Sequence, residues 1–182
     1  MALIYWDLWI IRLLSILTVI GNAVVVLYLF NFFNKNFGRR FFSYLKRKAL
    51  FLIFLVSFTA TAGSLIFSEI LNFNPCVLCW YQRIFIYPQP FISALALYKK
   101  QKGIISYLAL LSLFGILIAG AHYSGQIFSE SIKLPCSAVG ISASCNENFF
   151  LTFGYITIPF MSFSVFALVL MLWHLTKRAD LG

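Results

Sequence analysis

Long stretches free of charge dominate the chain. A helix that crosses the hydrocarbon of a bilayer needs about 20 consecutive apolar residues, and five stretches answer to that: 13–34, 49–68, 76–98, 103–129 and 149–174. The first two contain no Asp, Glu, Lys or Arg, and Trp6 and Trp9 precede the first as interfacial anchors. The third holds Arg83, Pro88 and Pro90. Its second half is predicted to kink or loosen, with neighbouring helices re-satisfying the carbonyls that the prolines free. The pattern predicts an all-α membrane protein of five spans.

Composition agrees. Of 182 residues 62% are apolar and 10% charged, and the mean hydropathy is +0.91, whereas a soluble domain is nearer half apolar and a quarter charged. This excludes a soluble globular domain, and no hydrophilic stretch is long enough to bury a second core. Fourteen Lys and Arg against five Asp and Glu give a net charge of +9. Most of that charge falls in short runs between apolar stretches, as expected of loops that face anionic lipid rather than of a nucleic-acid surface.

Those runs orient the chain. Lys35, Arg39, Arg40, Lys46, Arg47 and Lys48, then Lys99, Lys100 and Lys102, then Lys177 and Arg178 make eleven of the fourteen basic residues. Five spans bring all eleven to one side, predicted to be cytoplasmic, with the N-terminus outside and the C-terminus inside. Lys133 lies outside, and Arg12 and Arg83 lie near the outer boundary. Asp7, Glu69, Glu130 and Glu147 also fall on the outer side. The first span is not read as a signal peptide: its basic run follows the apolar stretch, and no small-residue cleavage site is evident.

This topology puts every cysteine on the outer, oxidising face. Cys76 and Cys79 open the third span; Cys136 and Cys145 sit in the outer loop 130–148. Paired cysteines indicate disulfides, metal binding or redox work. Asn74-Pro75-Cys76 reads as a helix start, Asn74 as N-cap and Pro75 at the first helical position. Cys76 then falls in the first turn, where the helix dipole and free backbone N–H groups favour negative charge on sulfur. Cys79, Arg83 and Tyr87 follow on the same helical stripe. An intramembrane Arg is costly unless paired or snorkelling, and this one is placed to hold something electron-rich beside Cys79. The plainer readings are a metal clip or structural disulfide for the CxxC and a snorkelling Arg83. Metal is set aside because no His pair, Met-rich stretch or acidic intramembrane ligand accompanies the cysteines.

Cys136 and Cys145 enclose eight residues rich in Ser, Ala and Gly, a flexible loop in which a disulfide would close only a small ring. Beside a membrane-embedded CxxC, the same pair suits the passage of electrons by thiol–disulfide exchange. His122, in the outer half of the fourth span, either hydrogen-bonds a neighbouring helix or donates a proton to a bound cofactor. His174 and Glu69 read as interfacial residues. Trp80, Tyr81 and Phe85 are candidates to cradle an aromatic headgroup.

Pro75-Cys76-Val77-Leu78-Cys79-Trp80-Tyr81-Gln82-Arg83, followed by Tyr87-Pro88, resembles the quinone-reducing motif of the DsbB family of disulfide-forming membrane proteins. Its Trp-Tyr-Gln-Arg version resembles the BdbC-like branch of Gram-positive bacteria. His122, the outer cysteine pair and the Ile158-Pro159 step are similar to the same family, over roughly residues 50–175. The resemblance implies a four-helix transmembrane bundle, 49–182, with one extra N-terminal transmembrane helix, 1–34, and a basic cytoplasmic segment, 35–48, before it. It implies a bacterial plasma-membrane protein that reoxidises a DsbA-like thioredoxin-fold thiol oxidase and passes two electrons to ubiquinone or menaquinone. By carry-over, Cys136 forms the mixed disulfide with the partner, Cys145 exchanges with Cys76, and Cys79 is the quinone-proximal thiolate. Arg83 contacts the quinone ring and His122 is a second contact. The extra first span and the close spacing of the outer pair depart from the family pattern. In the related bundle of vitamin K epoxide reductases the loop cysteines precede the CxxC; here Cys76 and Cys79 come first. A small transporter or assembly protein with structural disulfides is the rival from another class.

Overall fold

The computed structural model describes residues 2–33, 38–128 and 150–177. Seven α-helices account for most of them: α1 (Ala2–Phe33), α2 (Arg39–Arg47), α3 (Ala49–Leu65), α4 (Val77–Ile86), α5 (Pro88–Tyr98), α6 (Ile105–Ile127) and α7 (Ile158–Lys177). A π-turn, Ile66–Ile70, ends α3, and a 3₁₀ turn, Lys102–Ile104, leads into α6. Beyond the helices, the β-type pairing among the described residues is an isolated bridge between Thr152 and Ile156.

Four segments are long and apolar enough to cross a membrane: Leu8–Asn31, Ala49–Ile70, Lys102–Ile127 and Ile158–Lys177. The third stretch of the sequence is instead two short helices in series, α4 and α5. Tyr87 joins them with helical dihedrals and its N–H reaches Arg83 O at 2.9 Å, so the direction is kept through the step. Pro88 and Pro90 cannot donate to the ladder. Part of the compensation is local: the Gln89 side-chain amide donates to Phe85 O at 3.0 Å and also to Ser112 Oγ of α6 at 3.0 Å. At the step the chain changes neighbours, α4 lying mainly on α6 and α5 on α3.

α7 is the hub, packed on α6, α1 and α3. Small residues allow the closest approaches. A Cβ on Gly115 of α6 would lie 2.3 Å from Cζ of Phe166, a wholly buried ring of α7. α1 is seated at two similar points: its Gly21 receives Leu168 of α7, and its Leu14 rests on Gly63 of α3. A third tie is the hydrogen bond between Tyr28 Oη and His174 Nδ1, which makes His174 a helix-to-helix contact. Buried serines, Ser15, Ser57, Ser93 and Ser164, bond carbonyls of their own helices, so they cost the bilayer no unpaired hydroxyl.

One end of the bundle is closed by a cluster containing Tyr28, Phe42, Ala49, Ala96, Ile105 and Leu172. Residues from five helices and from short α2 meet there, so the basic runs around 39–48 and 99–102 and at Lys177 share that end. Within the 39–48 run α2 turns Phe42 inward and packs on α7, while Arg40, Lys46 and Arg47 stay exposed. The cysteines of the CxxC lie at the opposite end.

Candidate redox site

α4 begins at Val77, with Cys76 as its N-cap in an extended conformation, φ −74° and ψ 172°. The Cys76 carbonyl accepts the N–H of Trp80 at 3.1 Å. The local signal at Asn74-Pro75 points to a start two residues earlier. Burial overrides it, because Cys76 is only 3% exposed and is drawn against α6. Cys76 and Cys79 thus occupy the N-cap and N3 positions, the two whose side chains turn toward each other in a capping box. Both are free thiols, their sulfurs 3.3 Å apart.

His122 of α6 completes the cluster. Its Nε2 is 3.6 Å from Cys76 Sγ, and its Nδ1 is 2.9 Å from Nε2 of Gln82. Imidazole and amide are both buried, so the amide fixes the ring plane and aims its far edge at the sulfur. With the amide N–H donated to Nδ1, the proton of a neutral ring sits on Nε2 and faces Cys76. With the amide turned, Oε1 accepts from Nδ1–H and Nε2 becomes the acceptor. One glutamine therefore serves the ring in either role. The sulfurs and the imidazole lie within 4.8 Å of one another. Two thiolates and an imidazole could also bind a soft cation such as Zn²⁺, with a fourth ligand completing the tetrahedron. The His that the sequence did not place beside the cysteines is supplied from 46 positions away.

Arg83 reaches across to α3. Its Nε donates to Ser64 Oγ at 3.1 Å and an Nη to Ser64 O at 3.2 Å, while Tyr87 Oη donates to the same Ser64 Oγ at 3.2 Å. The guanidinium also lies 5.0 Å from the centre of the Trp80 ring and 5.9 Å from that of Tyr87. The half-buried head is held inside the bundle by a bidentate grip on one serine, which a snorkelling side chain would not need.

Cys79, Gln82 and Arg83 open into a cavity of about 390 Å³ between α1, α3, α4 and α7. That is the size of a pocket for a ligand of a few hundred daltons. Phe67 and Phe73, with ring centres 6.0 Å apart, line its cysteine end, and Phe150 packs on Phe67 at 5.6 Å. The lining is apolar along most of its course. Thr18, Thr59 and Ser164 line it too, but each hydroxyl bonds a carbonyl of its own helix. Cys79, Gln82, Arg83 and Ser64 gather at one end, and Ser162 of α7 adds a hydroxyl to the wall.

Of the residues singled out in the sequence, the fold brings Cys76, Cys79, Arg83 and His122 into one neighbourhood. Cys136 and Cys145 lie outside the described residues. Trp80 and Tyr81 are exposed, and Phe85 stacks on Phe114 of α6 at 5.9 Å; none of the three lines the cavity, and Phe67 and Phe73 stand where an aromatic cradle was expected. Ser64 and Gln82 were missed. Gln82 is one position off the Cys79–Arg83 stripe, and only an uncharged amide buried in an apolar helix could have signalled it.

A multi-pass helical bundle with a dithiol at the head of an intramembrane cavity defines a membrane protein of thiol–disulfide chemistry. The chain belongs to the DsbB family: the family model for disulfide bond formation protein DsbB matches residues 46–176. It is 45% identical over 118 residues to the SPbeta prophage-derived disulfide bond formation protein B of Bacillus subtilis, covering 65% of this chain and 78% of that one. It is 39% identical over 132 residues to a probable disulfide formation protein of Oceanobacillus iheyensis, covering 71% and 88%. Over 137 residues it is 35% identical to disulfide bond formation protein C of Bacillus subtilis, covering 73% and 96%. No solved structure gives a significant match. α1 lies wholly before the family match.

Proposed function

We propose that this chain is a membrane thiol:quinone oxidoreductase that reoxidises a thioredoxin-fold thiol oxidase of the DsbA type. The observation that carries the reading is the continuity of one site: a dithiol with sulfurs 3.3 Å apart, a buried imidazole 3.6 Å from the Cys76 sulfur, and an apolar cavity reached through Cys79 and Arg83. The residues fit a quinone. A ring with two carbonyl oxygens finds donors at the Arg83 and Gln82 end, and a lipophilic tail finds the apolar remainder. When bound there, a quinone is the two-electron oxidant of the site.

The net reaction converts a partner dithiol and a quinone into a partner disulfide and a quinol, moving two electrons and two protons. In this reading Cys136 exchanges with the partner, Cys145 exchanges with Cys76, and Cys79 stands nearest the cavity. His122 holds a proton at the edge of Cys76, and Gln82 keeps the ring in place through both of its protonation roles. Arg83, steadied by Ser64, orients an electron-rich ring beside Cys79. The chain crosses a bacterial plasma membrane five times, α4 and α5 together making the third crossing. The N-terminus and both cysteine pairs face outward, with 1–34 as an added helix and 49–182 as the family bundle.

The test is anaerobic. Reduced protein is mixed with menaquinone or ubiquinone, and quinol and free thiols are followed in wild type and Cys79→Ser. Quinol formed in step with thiol loss, absent from the variant, is the expected result and identifies the quinone accepted. No quinol from either, with one bound Zn²⁺ per chain, would favour a second reading, in which Cys76, Cys79 and His122 are metal ligands.

A further inference from the structure

We propose that α1, which lies before the family match, is the fourth wall of the cavity and makes it a channel for the isoprenoid tail of the electron acceptor. The proposal rests on the quinone reading of the Cys79–Arg83 end. Three observations carry it.

First, the cavity is long. Along α7 its lining runs from Ile158 to Leu172, about 21 Å at 1.5 Å per residue. It stretches from Pro75 near the cysteines to Leu45 of α2 at the basic end. One leaflet of hydrocarbon is about 15 Å deep. The course is deeper than that, and a polyisoprenoid anchored by its headgroup at the cysteine end is long enough to fill it.

Second, α1 contributes a continuous stripe. Leu14, Leu17, Thr18, Gly21 and Val24 all line the cavity, at the i, i+3, i+4 spacing of one helical face. The Thr18 hydroxyl is bonded back to Leu14 O at 2.8 Å, so the stripe presents hydrocarbon.

Third, the seat of α1 is built at specific points and not greasy contact alone. A Cβ on Gly21 would meet Leu168 Cδ1 at 2.8 Å, and one on Gly63 would meet Leu14 Cδ1 at 3.1 Å. The two glycines admit α1 on α7 and on α3, the helices that flank the cavity. Without α1 this side would be an open groove facing lipid.

The experiment uses the full chain in phosphatidylglycerol vesicles with a menaquinone analogue bearing a diazirine at the far end of its tail. After photolysis, mass spectrometry is expected to find adducts on the 13–24 stretch of α1, suppressed by excess unlabelled menaquinone. Thr18→Trp, which fills the channel, is expected to remove those adducts and raise KM for long-tailed menaquinone about tenfold, and by clearly less for the tail-less naphthoquinone, menadione. Adducts confined to other helices, with KM unchanged in Thr18→Trp, would overturn the role of α1 while menadione reduction still upholds the redox reading. Equal losses with both quinones would mean that the substitution damages the fold and not the tail channel; loss of the α1 adducts in Gly21→Leu, with menadione reduction intact, then sustains the proposal, and their persistence ends it. Labelling of the same stretch by a diazirine phospholipid, not displaced by menaquinone, would make the occupant a lipid acyl chain and overturn the proposal. If wild type reduces neither quinone, the redox reading fails and the channel proposal falls with it.

Discussion

Cys76 Sγ and His122 Nε2 stand 3.6 Å apart although 46 residues separate them in the chain. The contact exists because α4 lies on α6, and because Cys76 remains outside the helix it caps, with its side chain turned into the bundle. A thiol and an imidazole at that distance can share a proton without water between them. Replacing His122 by Ala is expected to slow quinol formation about 100-fold, the usual scale for a positioned proton carrier. Gln82→Leu should give a smaller loss in the same direction, because it leaves Nδ1 without this amide. Stopped-flow thiol oxidation checks both, and rates equal to wild type in His122→Ala would remove His122 from the mechanism.

Arg83 and Ser64 form a second testable pair. Arg83→Lys keeps the charge and loses the fork that grips Ser64 Oγ and O. Hydrogen bonds to charged groups contribute about 1.5–3 kcal/mol, so quinone affinity is expected to fall about 10- to 100-fold in Arg83→Ala, with a lesser fall in Arg83→Lys. Titration of bound quinone in vesicles is the measurement. Ser64→Ala should lie on the same path, with a smaller effect that vanishes in the Arg83→Ala background.

Gly115 and Phe166 test the packing. An added methyl at 115 meets the Phe166 ring at 2.3 Å, and overpacking of this kind costs about 1–3 kcal/mol. Gly115→Ala is expected to lower the thermal midpoint of the solubilised protein by several degrees. Phe166→Leu in the same chain should recover part of the loss by vacating the space. Additive losses in the double variant would show that the two sites do not share a contact.

Chelation separates the thiol chemistry from the cation alternative. Dialysis against a strong Zn²⁺ chelator is expected to leave both thermal midpoint and quinol formation unchanged. A midpoint that falls on chelation and returns with Zn²⁺ would reassign Cys76, Cys79 and His122 as a structural metal site.

Much of this was legible in the chain. Uninterrupted apolar runs gave α1, α3, α6 and α7, and the prolines marked the weak place in the third stretch. Cys76, Cys79 and Arg83 could be grouped from the sequence, and lie in one neighbourhood of the fold, because their i, i+3 and i+7 spacing is local. What escaped depends on contacts between distant segments. Ser64 is one of many hydroxyls in apolar helices, and only the packing of α3 on α4 and α5 makes it the partner of Arg83. The later start of α4 escaped for the same reason, since the burial of Cys76 on α6 outweighs the local signal of Asn74-Pro75. Phe67 and Phe73 sit in a chain with 21 Phe, where residue type carries little information. The amphipathic character of α2 was hidden by its charge, because Phe42 and Leu45 are few among six basic neighbours.

The proline step at Tyr87 has a mechanical consequence. Because α4 lies mainly on α6 and α5 on α3, the register of the thiols is set chiefly by α6, with Arg83 adding a tie to Ser64 of α3. Bilayers differ in thickness, and helices answer by tilting. A tilt imposed on α5 by a thinner or thicker membrane can be absorbed at the joint, where the helical ladder is already short of two N–H donors. A joint of this kind lets α5 change its tilt with less disturbance to the spacing between sulfur and imidazole than a continuous helix would allow.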